Sequence, residues 1–330
     1  MRRMVEPKTL LEELEIEFDG PHVVAIGGGH GLSKALQAAL SYAGRVDAVV
    51  SVADDGGSSG RLAPHLDIPA PGDIRKCLIA LTPEESIWRQ LFEYRFESSD
   101  VAGHSLGNLI LAGLADIEGS FEQALIRTER LLGASGSVIP ACRDHLRLEA
   151  DSNGETLFGQ VTIQRHHGRI DAVRVTPVTA AATPRALDAI EDADQIIVGP
   201  GSLITSTIAA MRVPGITEAI NESSAQLVYV ANLITQDGET LGMDGIDHLD
   251  ALLRLTGVRP PSAIVANDRD IGVSPPLESI SFDPELTATY GADLVTGDLV
   301  DNAEQWPSHC LLYTSPSPRD IHHNLGLRLG

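Results

Sequence analysis

The fold is decided by residues 23 to 33, which read Val23-Val24-Ala25-Ile26-Gly27-Gly28-Gly29-His30-Gly31-Leu32-Ser33. An apolar strand without alternation is buried on both faces, as in a parallel sheet. The glycines let the backbone approach a ligand closely, and the N-terminus of the following helix favours an anion. We therefore predict a phosphate site at Gly27, Gly28 and Gly29, with Ser33 as a candidate helix cap. The spacing departs from the G-x-G-x-x-G dinucleotide fingerprint.

The same order of strand, loop and helix recurs along the chain. Predicted strands lie at 22–27, 45–52, 195–198, 226–230 and 262–266, predicted helices at 31–43, from 203 onward and at 244–256, and a loop runs to about residue 72. Residues 73–133 are mostly helical in pattern, while 156–164 and 169–176 alternate like a hairpin joined at His166-His167-Gly168. This order predicts a doubly wound, Rossmann-like α/β sheet with a helical insertion and a small β excursion.

The two ends of the chain differ in composition from its middle. Residues 1–20 are rich in charge and are predicted to form a solvated extension. Residues 21–309 are predicted to form one domain. Residues 310–330 follow no periodic pattern and resemble translated sequencing adapter, so we predict a non-native tail there.

The composition narrows the class of protein. A chain of 330 residues with 43% hydrophobic residues can bury a large core, and no apolar run is long enough to span a membrane. No secretory leader pattern is present, and the three cysteines show neither metal spacing nor a disulfide pattern, so we expect a cytoplasmic protein. The net charge of −22 argues against a nucleic-acid groove. Whether the chain forms a homo-oligomer stays open.

The loop after the second predicted strand carries two acids and a group of anion donors. Asp54 and Asp55 suit Mg²⁺, which takes one or two carboxylates and completes its shell with phosphate and water. They equally suit hydrogen bonds from a ribose or a ring. Ser58, Ser59 and Arg61 are suitable donors to a phosphate. Because ligands bind outside the carboxyl ends of strands, we expect this loop to face the same crevice as the first.

Two predicted helix starts add further candidates. Asp73 lies near the start of a helix whose Arg75 and Lys76 form a positive pair in an acidic protein. Ser105 is predicted to cap another helix, with Asn108 facing the crevice, where its amide can contact a phosphate or a sugar.

The residues from Gly103 to Gly107 also match G-x-S-x-G, the nucleophile elbow of α/β-hydrolases. An elbow needs a buried strand directly before the serine, whereas residues 94–102 are polar and interrupted. We therefore reject a serine hydrolase and keep Ser105 as a helix cap.

A second glycine loop repeats the design of the first. Gly199 and Gly201 follow a buried strand, Ser202 is predicted to cap the next helix, and the free N–H groups of Leu203 and Ile204 are predicted to form a second anion site. Two phosphate-type loops in one sheet predict a ligand with two phosphates, such as a nucleotide diphosphate.

A third loop leaves a strand at residue 230. Its polar side chains suit recognition of a base or a sugar, and they are Asn232, Thr235 and Gln236. The alternative is an ordinary polar connection between a strand and a helix.

Taken together, these loops resemble the YvcK-type gluconeogenesis factors, which share a superfamily with the CofD-type 2-phospho-L-lactate transferases. The resemblance covers about residues 21 to 309. It rests on six separated motifs in order, which begin at Gly27, Val52, Pro71, Gly103, Gly199 and Asn232. Any one of them alone would be weak, whereas six in order are highly specific.

The resemblance implies a CofD-like, Rossmann-like nucleotide-binding domain. For the YvcK branch it implies binding of UDP-sugars such as UDP-N-acetylglucosamine, and a cytoplasmic role in carbon metabolism, cell shape and envelope synthesis. For the transferase branch it implies transfer of phospholactate from a nucleotide diphosphate donor, with Mg²⁺. The chain departs from the family pattern at His30, Ile204 and Asp237, where Thr, Tyr and Pro are usual.

Overall fold

The computed structural model describes residues 20–301 and 308–309. Its strands are β1 (His22–Gly27), β2 (Arg45–Val50), β3 (Ser137–Pro140), β4 (Arg147–Ser152), β5 (Glu155–Phe158), β6 (Ala172–Thr176), β7 (Gln195–Val198), β8 (Gln226–Val230), β9 (Ala263–Asn267), β10 (Asp293–Gly297), β11 (Val300–Asp301) and β12 (Ser308–His309). Its α-helices are α1 (Gly29–Ala39), α2 (Gly57–Leu66), α3 (Pro71–Leu81), α4 (Ile87–Glu93), α5 (Leu106–Glu118), α6 (Phe121–Leu132), α7 (Gln160–Gln164), α8 (Pro184–Glu191), α9 (Ala209–Met211), α10 (Ile216–Glu222), α11 (Gly245–Thr256) and α12 (Pro284–Thr289). A π-helix, Leu203–Ile208, leads directly into α9.

Seven parallel strands form the central sheet in the order β10-β9-β8-β7-β1-β2-β3. The chain builds β1, β2 and β3 outward in one direction, then returns to place β7 beside β1 and continues outward through β8, β9 and β10. The apolar runs that predicted buried strands are indeed buried, since every residue of β1, β7 and β9 lies in the interior. The predicted doubly wound, Rossmann-like sheet is confirmed.

The helical insertion between β2 and β3 contains one more helix than the sequence indicated. Helices α3 to α6 fall within the predicted helical stretch. Residues predicted as a loop include α2, whose sequence Gly-Ser-Ser-Gly-Arg-Leu-Ala-Pro-His-Leu has little apolar periodicity and an internal proline. That helix packs on α3 and α5, so tertiary contact rather than helix propensity stabilises it.

The predicted hairpin of residues 156–164 and 169–176 is wrong. The small sheet has the antiparallel order β5-β4-β6, so β4 lies between the two segments that were expected to pair. Gly159, with a φ of +89°, ends β5, and the next residues form α7. Over five residues, alternation and helical periodicity are hard to distinguish. His166 is therefore no hairpin tip: its ring is half-buried and lies 2.7 Å from the Ser152 Oγ.

One apolar core runs through both sheets. It joins side chains of the central sheet, such as Ile26 and Val49, to side chains of the small sheet, such as Leu148 and Val173. No helix in the described ranges is long and apolar enough to cross a membrane. The predictions of an extension at 1–20 and of a non-native tail at 310–330 lie outside the described residues, apart from Gly20.

Candidate functional site

A cleft opens at the carboxyl edge of the central sheet, where β1 and β7 lie side by side. Ligands of open α/β sheets bind at such a switch point, because the loops of the two neighbouring strands diverge there. These loops touch: a Cβ placed on Gly31 would lie 2.6 Å from the Pro200 carbonyl oxygen. The cleft encloses about 670 Å³, which is typical of small-molecule sites.

Predicted site residues from both halves of the chain line this cleft. They are Gly29, Asp54, Asp73, Gly201, Ser202, Asn232 and Thr235. Lys76 and Gln236, noted in the sequence as candidates for ligand contact, also line it. Gln160 and Gln164 line it too, and the sequence did not indicate them, because α7 was interpreted as a strand.

In the first glycine loop, residues 27–31, the backbone lies close to the side chain of Asp73. Gly27 has a φ of +152°, a conformation that favours glycine. A Cβ on Gly28 would lie 2.4 Å from the Asp73 Oδ2. Helix α1 begins at Gly29 and not at Ser33, so the prediction that Ser33 caps it is wrong: the Ser33 hydroxyl lies inside the helix and donates to the Gly29 carbonyl at 3.2 Å.

The two acids of the second loop diverge. The Asp54 carboxylate lies in the cleft, and its Oδ1 accepts a hydrogen bond from the Gly56 N–H at 2.9 Å. Asp55 is directed to helix α7, where its Oδ1 accepts from the Val161 N–H at 3.0 Å. The structure therefore brings Asp54, but not Asp55, to the cleft.

Asp73, and not Asp55 as predicted, is the second carboxylate beside Asp54. Burial, and then the nearby Asp73 carboxylate, raise the pKa of Asp54. Lys76 binds Asp73, with 2.9 Å between the Lys76 Nζ and the Asp73 Oδ1. Within the described part of the chain, no group of three or more His, Cys, Asp and Glu side chains is arranged to hold a metal ion. Two carboxylates still suit Mg²⁺, which retains water and phosphate oxygens as its other ligands.

Six other predicted residues are not part of the cleft lining. They are Ser58, Ser59, Arg61, Arg75, Ser105 and Asn108. Their polar groups bind one another, the backbone, or the side chains of His104 and Asp54. The Arg75 Nε donates to the Asn108 Oδ1 at 3.0 Å, and Ser105 caps α5 by accepting from the Asn108 N–H, as predicted.

Serines of α2 contribute to the same packing. The Ser58 Oγ lies 3.0 Å from the His104 Nδ1, and Ser59 donates to the Asp54 carboxylate. The Arg61 Nη2 donates to the Ala102 carbonyl at 3.0 Å. These contacts join α2 to the segment before α5, while the bond between Arg75 and Asn108 joins α3 to α5.

The second glycine loop is held by the connection that follows β8. The Asn232 side chain accepts from the Gly201 N–H at 3.0 Å and donates to the Gly201 carbonyl at 2.8 Å. The Ser202 hydroxyl donates to the Gln236 Oε1 at 2.9 Å and makes no cap, contrary to the prediction. Gly199 approaches Val230 closely, and the buried Leu203 begins the π-helix.

Glu239 occupies part of the predicted second anion site. Its Oε2 accepts from the Ile204 N–H at 3.0 Å. The prediction that this N–H is free to bind an anion of the ligand is therefore wrong. The Thr235 hydroxyl also has a partner within the protein, because its Oγ1 accepts from the Glu278 N–H at 2.9 Å. Sequence reasoning missed Glu239 because its contact crosses between two strand ends 35 residues apart.

Fold and cleft thus define an α/β protein with a polar ligand site at its topological switch point. The family model described as 2-phospho-L-lactate transferase CofD matches residues 23–284, well over half of the chain. The chain belongs to the CofD family, on the branch of the YvcK-type gluconeogenesis factors.

Relatives with the name gluconeogenesis factor cover most of the chain. The protein from Halalkalibacterium halodurans is 43% identical over 239 residues, which are 72% of this chain and 74% of that protein. The protein from Bacillus subtilis is 42% identical over 253 residues, 76% of this chain and 80% of that protein. A relative from Nostoc is 43% identical over 244 residues, and this chain spans about half of its length, 54%.

A solved structure is similar over most of its length. A UPF0052 family protein from Bacillus halodurans has a TM-score of 0.83 and 36% sequence identity, covering 88% of this chain and 96% of that chain. The sequence-based resemblance to the YvcK and CofD proteins is confirmed by these matches.

Proposed function

We propose that the chain is a UDP-sugar-binding factor, with UDP-N-acetylglucosamine as the ligand that its family resemblance implies. Its proposed role is cytoplasmic and is linked to gluconeogenic carbon metabolism, cell shape and envelope synthesis. The observation that carries the proposal is the meeting of two glycine loops at the switch point of the sheet, beside the ammonium group of Lys76. A helix N-terminus, close backbone and a cation together suit a diphosphate.

In this proposal the diphosphate lies between the start of α1 and the loop of Gly201 and Ser202. The amide side chains of Gln160, Gln164 and Gln236 line the same cleft and supply donors and acceptors for a sugar or a base. Asn232 contributes indirectly, because both ends of its amide already bind Gly201.

Charge at Ser202 tests this placement. Ser202→Asp puts a carboxylate against the diphosphate, whereas Ser202→Asn adds a side chain of nearly the same shape without charge. We expect isothermal titration calorimetry with UDP-N-acetylglucosamine to show that Ser202→Asp loses binding by about a hundredfold or more and that Ser202→Asn loses much less. Equal affinities of the two variants would contradict the placement of the phosphates.

A second candidate function is phospholactate transfer from a nucleotide diphosphate donor with Mg²⁺. Two carboxylates in the cleft, Asp54 and Asp73, favour it, since both offer oxygen ligands beside the proposed diphosphate. The lining contains the carboxylates of Asp54, Asp73 and Asp237 and the ammonium group of Lys76, so a divalent cation would offset repulsion of the donor.

Metal dependence separates the two candidates. Tight binding of UDP-N-acetylglucosamine that is unchanged by Mg²⁺ supports the binding factor. Binding of GTP that requires Mg²⁺ supports the transferase, and Asp54→Asn should then remove turnover while leaving donor binding largely intact. Turnover that survives Asp54→Asn would exclude the transferase role for this carboxylate.

A further inference from the structure

The carboxylate of Glu239 lies in a ring of neutral donors at the first turn of the π-helix. Its Oε2 accepts from the Ile204 N–H at 3.0 Å, and its Oε1 accepts from the Thr205 hydroxyl at 2.5 Å. The Thr205 N–H and the Gln164 side chain also bond to it. Glu239, Ile204 and Thr205 are at most 9% exposed.

Such a convergence of N–H and O–H groups at a helix N-terminus is how proteins hold a phosphate or another anion. Here the chain supplies the anion itself. A buried carboxylate is costly unless its oxygens are satisfied, and these donors satisfy them without a cation. Burial nonetheless raises the pKa of Glu239, because the hydrogen bonds from Thr205, Ile204 and Gln164 lower it by less.

The segment after β8, which carries Glu239, also binds the second glycine loop at Gly201 and Ser202. Asn232 makes two hydrogen bonds to Gly201, and Gln236 accepts from the Ser202 hydroxyl. Together with Glu239, these side chains join residues 232–239 to residues 201–205. Residues 232–239 therefore hold this loop at Gly201 and Ser202, which are proposed to face the ligand, and again at Ile204 and Thr205.

We propose that Glu239 is a positioning residue of the cleft: its carboxylate fills an internal anion hole at Ile204 and Thr205 and so fixes Gly201 and Ser202 for the ligand. The positioning role rests on the proposed function, whereas the anion hole itself does not.

Chemical rescue by formate tests the anion hole. Glu239→Ala removes the carboxylate and leaves its donors unpaired, so a small carboxylate can replace it. We expect sodium formate to raise the thermal unfolding midpoint of Glu239→Ala above its value in sodium chloride of equal ionic strength, with no such difference in the wild-type protein. A midpoint that responds identically to formate and chloride would overturn the anion hole.

Ligand affinity tests the positioning role. We expect Glu239→Ala to bind UDP-N-acetylglucosamine about tenfold more weakly than wild type, and formate to restore most of that loss. Wild-type affinity in Glu239→Ala without formate would overturn the positioning role. If the wild-type protein itself fails to bind the ligand, the proposed function fails, while the formate effect on unfolding still decides the anion hole.

Two further variants keep the test decisive. Glu129→Ala is the matched control, because the Glu129 carboxylate also accepts a backbone hydrogen bond, from the Val138 N–H at 2.7 Å, but makes no contact with the loop of Gly201 and Ser202. It should lower stability without changing ligand affinity. If Glu239→Ala does not fold, Glu239→Gln keeps the volume and directs an amide N–H₂ at a donor. Its affinity should fall about tenfold in the folded protein, and unchanged affinity would overturn the proposal.

Discussion

At the scale of single residues, Gly31 is where the two glycine loops meet. A Cβ at this position would lie 2.6 Å from the Pro200 carbonyl oxygen and 2.8 Å from the Gly201 nitrogen, and both are backbone atoms that cannot rotate away. We expect Gly31→Ala to lower the free energy of unfolding by about 2–3 kcal/mol and to weaken ligand binding, because the loops must separate. Urea denaturation measures the first effect and calorimetry the second.

Gly113 is the matched control for that substitution. It lies in the interior of α5, is exposed, and has no atom within 4 Å of an added Cβ. Gly113→Ala should therefore raise the free energy of unfolding by about 0.5–1 kcal/mol, since alanine loses less backbone entropy in a helix. If both variants changed stability alike, contact between the loops would not be the cause at Gly31.

Residues of the site could be predicted where their role is local. Ser105 caps its own helix three residues away, so the sequence was sufficient to predict it. Asp54 was predicted to lie in the cleft. Its neighbour there, Asp73, comes from helix α3, and the sequence alone does not show that Asp73 rather than Asp55 lies beside Asp54. Glu239 depends on a contact between two strand ends, which a single sequence does not reveal.

At the scale of elements, Glu129 joins α6 to β3 through its bond to the Val138 N–H. Burial, as the largest cause, raises the pKa of Glu129 above its ordinary value of 4.5. The folded state then retains a proton that the unfolded state has lost, so this group lowers stability as pH rises from about 4.5 to its folded pKa, and not beyond.

Glu129→Gln should remove that pH dependence, because the amide oxygen can still accept from Val138 and does not ionise. We expect the free energy of unfolding of the variant, minus that of wild type, to increase through this pH range and then to level off. Urea unfolding at a series of pH values from about 4 to 7 measures the difference. A difference that stays constant with pH would show that Glu129 does not titrate differently on folding.

Strands were predictable where a run of apolar residues is buried throughout. Short segments whose pattern fits both a strand and a helix were not predictable. The strands β1, β7 and β8 are continuous apolar runs, and each was located within a residue or two. Strand β5 and helix α7, with Gly159 between them, span ten residues of mixed character, and alternation there suggested one strand. Tertiary packing against β4 and the π-helix decides between the two.

At the scale of the whole molecule, the small sheet and the helical insertion share one core with the central sheet. Leu148 of β4 is fully buried in that core, and Trp88 of α4 packs against its other side chains. Because close-packed interiors transmit the loss of a contact, removal of the Leu148 side chain should destabilise the insertion as well as the small sheet.

We expect Leu148→Ala to lower the free energy of unfolding by about 2–5 kcal/mol and the unfolding midpoint by about 5 °C or more. The chain has two tryptophans, so in a Trp306→Phe background the fluorescence of Trp88 reports on the insertion alone. Trp88 fluorescence and far-ultraviolet circular dichroism should then show one coincident transition, shifted equally by Leu148→Ala. A Trp88 transition that stays at its original temperature would mean that the insertion unfolds separately, and that the acids and the glycine loops of the cleft are held by independent units. Coincident shifts would instead show that the geometry of the cleft depends on the packing of the whole core. Asp73 belongs to the insertion, whereas the π-helix follows β7 of the central sheet.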